Sequence, residues 1–316
     1  MQHTKVINRP KKPFVKRIEP WLYLAPAIIF FVMFTYYPFI KTIFSSFFRV
    51  NSMGRIVKNP PDNFIEYLKA MGGRWMGLQN YTRVLGTSAF QVAIKNTFIY
   101  VILAAPLSII IALVLALMAN KARKTSVIYE TLFAITMAMS MSVAAMIFKL
   151  AYNPSIGIVN QLIGVRINWL NDKRYAMVAI GIISTWMNIG YNFLFLLAAV
   201  RNIPTEILES CALDGARPFR KTMNIILPLI SPTTFFLICT SLAKAMMMSG
   251  LVLIFTSGAG LSTTASIDTM ISYMYKQAVN NLNYNDGYAS AIIAFIITFI
   301  LMLISFRFEK KGVHYN

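Results

Sequence analysis

The chain alternates between long apolar stretches and short polar segments. Six stretches lack charged residues and are long enough, or nearly so, to cross a membrane: residues 21–40, 96–119, 131–148, 175–200, 222–243 and 288–306. A spanning helix needs about 20 apolar residues, because the hydrocarbon layer is ~30 Å thick and a helix rises ~1.5 Å per residue. The stretches do not alternate polar and apolar residues as the strands of a β-barrel do. They predict an all-α integral membrane protein with six transmembrane helices.

Composition supports this prediction. The chain is 57% hydrophobic with a mean hydropathy of +0.60, and only 13% of its residues are charged, against roughly 25% in soluble domains. Basic residues precede the first stretch, as in a signal peptide, but its apolar run exceeds the about 7–15 residues of a signal. We therefore interpret it as a retained first span.

The net charge of +19 is concentrated in short segments next to the apolar stretches. These segments precede span 1 and follow spans 2, 4 and 6, and short basic segments stay cytoplasmic. The pattern predicts a multi-pass membrane protein with both termini cytoplasmic, and it does not indicate nucleic-acid binding. It divides the chain into a basic cytoplasmic tail (1–19), a first transmembrane helix (20–46), an extracytoplasmic loop (47–95), a core (96–306) and a cytoplasmic tail (307–316).

Few residues offer catalytic or metal-binding chemistry. Both histidines lie in the tails, and the six stretches contain no Asp or Glu. Proton-coupled carriers usually place carboxylates inside their spans. We therefore expect no catalytic site, no metal site and no cofactor in this chain. If it moves a solute, the energy comes from another subunit; a stand-alone channel or facilitator and a membrane enzyme are the alternatives.

The polar stretch ESCALDGARPFRKTMNIILP (209–228) separates spans 4 and 5. Pro204 and Thr205 predict a helix start with Thr205 as the N-cap, and Gly215 permits a turn. Apolar and small residues recur at helical spacing at Ile207, Leu208, Cys211, Ala212, Ala216 and Phe219. The pattern predicts a short amphipathic helix at about 205–220 on the cytoplasmic face. It is either a simple connector or a helix that docks into a groove of a partner.

The segment IPTEILESCALDGARPFRKTMNIILPLISP (203–232) resembles the cytoplasmic signature of bacterial ABC importer permeases: an E-A-A triplet, a glycine and an I-x-L-P ending. The matching residues are Glu209, Asp214, Gly215, Ala216, Leu227 and Pro228. The triplet reads Glu209-Ser210-Cys211, so other small residues replace both alanines. Segments 76–85, 148–163 and 286–291 also resemble the carbohydrate branch, in particular the type of the large maltose permease subunit and of the glycerol-phosphate and trehalose permeases.

The resemblance implies a type I ABC importer permease fold, a location in the bacterial inner (cytoplasmic) membrane and a set of partners. These are a second permease subunit in a heterodimer, two ATP-binding subunits that hold ATP and Mg, an extracytoplasmic solute-binding protein and an oligosaccharide substrate. The chain itself contains no phosphate-binding loop. The resemblance also implies that the polar stretch is a coupling helix that seats in the ATPase subunit through Glu206, Glu209, Ser210, Cys211, Asp214, Gly215, Ala216, Arg217 and Phe219.

In this family the sugar contacts lie in the spans that flank the coupling helix. The corresponding segments, STWMNIGYNF and SLAKAMMMSG, give the candidate path residues Trp186, Met187, Asn188, Tyr191, Asn192, Ser241, Lys244, Ala245 and Met248. Aromatic rings and amides suit a sugar, although Asn and Tyr also bridge helices in membranes.

Lys244 departs from the neutral-sugar pattern. An uncompensated charge at mid-bilayer costs at least about 2.5–3.5 kcal/mol, so it should face a cavity or a partner. Our hypothesis is that Lys244 pairs with an acidic group of the substrate, such as a uronate, sulfate or phosphate. The alternative is a carboxylate of the second permease subunit.

Overall fold

The computed structural model describes residues 14–49, 74–120, 126–215, 217–257 and 267–312. Three features of the sequence lie outside these ranges: the segment NFIEYLKAM (63–71), whose apolar residues at helical spacing predict an interfacial helix, the basic segment 121–124, and Ala216. The description below applies to the described residues alone.

The first transmembrane segment is helical from α1 (Phe14–Phe31) through a π-helical turn (Val32–Tyr36) to α2 (Tyr37–Ser46). The wide turn lies just before Pro38, whose ring lacks an N–H group and would clash with the carbonyl four residues earlier in a regular helix. The ring of Phe39 packs on that of Phe295 in the last helix, with centroids 5.0 Å apart. This end of the first segment is therefore packed against the last helix.

A small extramembrane unit follows α2. Strand β1 (Phe48–Arg49) pairs antiparallel with β2 (Arg74–Trp75), and helix α3 (Gln79–Gly86) comes next. The buried amide of Asn80 donates to the carbonyls of Ser46 and Phe48 at 2.8 and 3.1 Å. Arg83 forms an ion pair of 2.6 Å with Asp286, which ties this unit to the start of the last helix.

Two long helices, α4 (Ser88–Ala119) and α8 (Ala176–Arg201), form the centre of the bundle. Tyr100 donates to Ser184 at 2.5 Å, and Asn192 donates to Ser108 at 3.0 Å. Both bonds join residues 84 positions apart, so the two helices run parallel, as spans 2 and 4 of a six-span chain must. Both helices contribute to two clusters of buried apolar side chains, and we call the cluster around Phe193 and Leu196 the lower apolar cluster.

The third predicted span is broken. Helices α5 (Ser126–Ala138) and α6 (Met141–Ala151) meet at an angle of 103°. Ser140 adopts an extended conformation, and its hydroxyl accepts from the N–H of Val143 at 3.3 Å. A single straight span over 131–148 was therefore the wrong shape, because a cap within an apolar run starts a new helix.

The short helix α7 (Ile158–Ile163) precedes α8, and α9 (Thr205–Leu213) follows it. The chain then continues through α10 (Pro218–Lys221), a π-helical turn (Thr222–Ile226), α11 (Leu227–Leu229), α12 (Ser231–Met246) and α13 (Gly250–Ser257). The apolar span is Ser231–Thr256, later than the predicted 222–243. Ile230 leaves helical geometry just before Pro232, which favours a new helix start at this point.

The chain ends in α14 (Met270–Tyr275), a π-helical turn (Lys276–Asn280) and the long α15 (Tyr284–Gly312). The Asp268 carboxylate accepts from Lys276 at 2.7 Å and from Ser272 at 3.0 Å. Burial, reinforced by the charge of Asp286, raises the pKa of the Tyr273 phenol. The described residues thus contain five long apolar helices and one bent pair that counts as a sixth span.

Candidate functional site

A cavity of about 660 Å³ opens between α4, the bent pair α5–α6, α8 and the α12–α13 junction. Its lining comprises Tyr100, Ala104, Ala105, Ser108, Thr136, Met137, Met139, Met141, Ser184, Met187, Asn188, Tyr191, Ser241, Lys244, Ala245, Met247, Met248, Ser249, Gly250 and Leu251. The volume lies within the range of about 300–1,000 Å³ that is usual for small-molecule sites.

Lys244 is the charged residue of this lining. It lies near the middle of the span Ser231–Thr256, and its side chain is exposed to the cavity. The Nζ atom lies 4.0 Å from the centroid of the Tyr191 ring, a cation–π contact that stabilises an ammonium group by about 0.5–2 kcal/mol. Among the described residues, no carboxylate forms an ion pair with Lys244.

Two helices begin at the wall of the cavity. Helix α6 begins at Met141 and α13 begins at Gly250, and both residues belong to the lining. The two ends touch, since a Cβ atom on Gly250 would clash with the Met141 sulfur. The first N–H groups of a helix lack intrahelical partners and carry a partial positive charge, so both ends add to the positive potential of Lys244.

Hydroxyl and amide groups line the side formed by α4 and α8. Asn188 donates to the Ser184 carbonyl at 2.7 Å, and the Ser184 hydroxyl accepts from Tyr100. Ser108, also in the lining, accepts from Asn192. These groups can exchange hydrogen bonds with the hydroxyls of a bound solute.

Methionines form much of the remaining surface: Met137, Met139, Met141, Met187, Met247 and Met248. Their unbranched, polarizable side chains fill irregular space and adapt to different shapes. The cavity thus combines one fixed cation, a few polar groups and an adaptable apolar wall.

Most of the path residues predicted from sequence meet in this cavity. Those in its lining are Met187, Asn188, Tyr191, Ser241, Lys244, Ala245 and Met248. Trp186 instead packs edge-to-face on Phe148, with centroids 5.4 Å apart. Asn192 is fully buried, and its Oδ1 atom has no hydrogen-bond partner among the described residues.

Sequence reasoning missed the contributions of α4 and of the bent pair. Tyr100 and Ser108 lie on the face of α4 that contacts α8, and Thr136, Met139 and Met141 surround the break. The only signal for the break is Ser140, a good N-cap residue in an otherwise apolar run.

The helix that the sequence predicts at about 205–220 corresponds to α9, at the opposite end of the bundle from the β1–β2 pair. It begins at Thr205, which is thus its first helical residue rather than the N-cap, and it ends at Leu213. Gly215 has a φ of +67°, which confirms the predicted turn, because glycine adopts this conformation without strain. Cys211 is buried, and Leu208 packs against the lower apolar cluster while its carbonyl accepts from Lys221 at 3.2 Å.

The rest of the predicted coupling surface faces outward. Its exposed members are Glu206, Glu209, Ser210, Asp214, Gly215, Arg217 and Phe219. Phe219 is 73% exposed, and Leu213, which the sequence reading did not select, is 89% exposed. These two exposed apolar side chains, one at the end of α9 and one in the adjacent α10, are typical of a docking surface.

Residues 97–310 match the family described as the binding-protein-dependent transport system inner membrane component. The chain belongs to this family. It is 30% identical over 307 residues to the sn-glycerol-3-phosphate transport system permease protein UgpA of Agrobacterium fabrum, a match that covers 96% of this chain and 98% of the relative. The UgpA protein of Brucella abortus biovar 1 is also 30% identical, over 97% of this chain and 99% of its own length.

Solved structures share the fold. One is the crystal structure of a bacterial alginate ABC transporter in complex with alginate pentasaccharide-bound periplasmic protein, with a TM-score of 0.77 at 22% identity over 95% of this chain and 98% of that chain. Another is that of a bacterial ABC transporter involved in the import of the acidic polysaccharide alginate, with a TM-score of 0.75 at 22% identity over 94% and 97% of the two chains.

The family and the fold confirm the main sequence prediction. The chain is a multi-pass permease subunit of an ABC importer with the type I importer fold. Its relatives are transport permeases rather than enzymes, and membership of this family does not favour a stand-alone channel or facilitator.

Proposed function

We propose that this chain forms one half of the translocation path of an ATP-driven importer for an acidic oligosaccharide. A solute-binding protein delivers the substrate, a second permease subunit completes the path, and two ATPase subunits bind ATP and Mg. The observation that carries the proposal is Lys244, a cation at mid-span that faces a cavity and has no carboxylate partner among the described residues.

Electrostatics favour an anionic substrate. The desolvation that makes a mid-membrane charge costly also strengthens its attraction to an opposite charge. The starts of α6 and α13 add partial positive charge at the same wall. Lys244 and the two helix starts would therefore all stabilise a bound carboxylate, sulfate or phosphate group.

The polar groups favour a sugar, and the relatives favour an acidic substrate. Asn188, Ser108 and Ser241 offer hydrogen-bonding groups to hydroxyls, and the methionine wall suits the apolar face of a ring. The names of the relatives above refer to glycerol 3-phosphate and to alginate, and both compounds carry acidic groups.

Coupling to ATP hydrolysis is assigned to α9. Its exposed carboxylates and the bare side chains of Leu213 and Phe219 suit insertion into a groove of an ATPase subunit. On its inner side, Leu208 packs against the lower apolar cluster and Cys211 is buried, so α9 is anchored to the bundle. A push on α9 is thereby transmitted to α8 and α12, which form the cavity.

The test begins with affinity purification of the tagged chain from its native membrane and identification of what accompanies it. We expect an ATPase, a second permease and a binding protein. Isolation of the chain alone, even after gentle extraction and crosslinking, would contradict the importer assignment.

The acidic substrate is tested separately, with the Lys244→Gln variant of the assembled importer in proteoliposomes. Loss of a charge-assisted hydrogen bond of about 1.5–3 kcal/mol should raise the apparent KM for an oligouronate by roughly tenfold or more. Lys244→Arg should keep most of the affinity. An unchanged KM in Lys244→Gln would reject the acidic-substrate proposal. Dissociation of the two permease subunits in this variant would instead support a carboxylate of the partner as the counter-ion.

A further inference from the structure

A second cavity, of about 540 Å³, lies between α2, α3 and α15. It is lined by Phe39, Ile43, Phe47, Leu78, Tyr81, Leu85, Ile292, Ile293, Phe295, Ile296 and Ile297. We call it the apolar groove. It shares no lining residue with the central cavity, and apart from the Tyr81 hydroxyl its lining side chains are hydrocarbon.

An aromatic cluster marks one end of the apolar groove. Trp75 stacks on Phe47 at 5.6 Å and meets Phe48 edge-on at 5.1 Å, and Tyr81 lies 5.5 Å from Phe47. The Tyr81 hydroxyl is hydrogen-bonded to Ser46, the last residue of α2. Tyr and Trp gather where a transmembrane segment reaches the membrane–water interface, so this end of the groove lies at headgroup level.

Two arginines stand next to this cluster. Arg49 lies directly opposite Arg74 in the β1–β2 pair, and both side chains are exposed. Directly opposed like charges destabilise a strand pair. Among the described residues neither arginine forms an ion pair, whereas nearby Arg83 is neutralised by Asp286. An anion between the two guanidinium groups would relieve the repulsion.

We propose that the apolar groove and the arginine pair together bind one phospholipid with an anionic headgroup. An acyl chain lies in the groove between α2 and α15, the glycerol region contacts the aromatic cluster, and the phosphate accepts from Arg49 and Arg74. The order of hydrocarbon, aromatic and cationic surface along this site matches the order of a lipid from tail to headgroup. A helix of the second permease subunit would fill the groove but would leave the arginine pair without an anion.

The test measures lipid retention directly and does not depend on transport. The assembled importer is equilibrated in nanodiscs of phosphatidylglycerol and phosphatidylcholine, and the lipids that remain bound are identified by native mass spectrometry. We expect preferential retention of phosphatidylglycerol. The double variant Arg49→Gln/Arg74→Gln should abolish this preference, since each arginine near an anionic headgroup contributes roughly fivefold in affinity. The control Arg166→Gln/Lys173→Gln removes two exposed charges from another loop and should leave it intact.

A second pair of variants tests the groove itself. Ile296 lines the groove and is 46% exposed, whereas Ile300, one turn further along α15, is 49% exposed and lies outside the lining. Ile296→Trp should displace the acyl chain and lower retention of phosphatidylglycerol several-fold, whereas Ile300→Trp should not. Equal retention of the two lipids by the wild type would overturn the proposal. It would also be overturned if neither Arg49→Gln/Arg74→Gln nor Ile296→Trp lowered the retention of phosphatidylglycerol. A crosslink from position 296 to the second permease subunit would overturn it as well, because the groove would then be covered by protein.

Discussion

At the scale of single residues, the contact with Tyr191 positions Lys244, the charged residue of the central cavity. The aromatic ring holds the ammonium group at 4.0 Å and partly compensates its removal from water. This contact positions the lysine side chain when no substrate is bound. An incoming anion then meets a cation that is already oriented.

A pair of Tyr191 variants tests this role. Tyr191→Phe keeps the ring and should leave the apparent KM for an acidic substrate within about twofold, whereas Tyr191→Leu should raise it roughly fivefold, since a cation–π contact contributes about 0.5–2 kcal/mol. The measurement is concentration-dependent uptake into proteoliposomes. Equal effects of the two substitutions would mean that the hydroxyl or the general packing matters, not the ring.

Asn192 shows what a residue-level reading of the sequence cannot decide. It lies one position from Tyr191, and both have side chains that suit a sugar. A rotation of about 100° around α8 separates them, so that Tyr191 lines the cavity and Asn192 is buried against Ser108. Which face of an all-round apolar helix contacts a neighbour depends on packing, not on composition.

At the scale of helices, the close approach of α5 and α8 determines the shape of the cavity. Gly190 of α8 lies against the Phe133 carbonyl and the Thr136 hydroxyl of α5, where a Cβ atom would clash. Because one of the obstructing atoms belongs to the backbone, a side-chain rotation alone cannot make room.

Gly190→Ala should therefore lower the stability of the permease by about 1–3 kcal/mol, the usual cost of overpacking. The matched control is Gly86→Ala in α3, where an added Cβ meets no atom within 4 Å. Thermal unfolding of the purified protein in detergent measures both. A melting temperature of Gly190→Ala equal to that of the control would contradict the packing described here.

The predicted coupling helix is open to a similarly direct test. Leu213→Ser should reduce co-purification of the ATPase subunit several-fold while leaving the fold intact, because this side chain is 89% exposed and, in our proposal, packs in a groove of the ATPase. Leu162→Ser in α7, where the side chain is 80% exposed, serves as the control at the other end of the bundle. If Leu213→Ser bound the ATPase as well as the wild type does, Leu213 would not be part of the interface.

The helices also show how far the sequence could predict the fold. Long charge-free runs identified the spans, because hydrocarbon excludes charge, and the polar stretch identified α9. The break at Met139–Ser140 and the late start of span 5 at Ser231 were not predicted. An apolar run has the same hydropathy whether it is straight or bent, and the single N-cap residue Ser140 is the only sign of this break in the sequence.

At the scale of the whole molecule, three surfaces lie at different depths of the helix bundle. The predicted coupling helix follows the end of α8, the central cavity lies near the middle of the bundle, and the arginine pair and aromatic cluster lie at the opposite end. In our proposal these are the contacts with the ATPase, the substrate and an anionic lipid. Each surface can be mutated without changing a residue of the other two, so ATPase binding, substrate affinity and lipid retention can be measured separately.

The central claim is that Lys244 selects an acidic substrate in the cavity. The most direct measurement is uptake of an oligouronate and of the same oligosaccharide with its carboxyl groups reduced to alcohols, by the wild-type importer and by Lys244→Gln. Both importers use the same binding protein, so its own preference cancels in the comparison. We predict that the preference for the acidic form falls roughly tenfold in Lys244→Gln, as expected when an ion pair of about 1.5–3 kcal/mol is lost. An identical preference for the acidic form in the two importers would show that Lys244 does not discriminate between charged and neutral substrates.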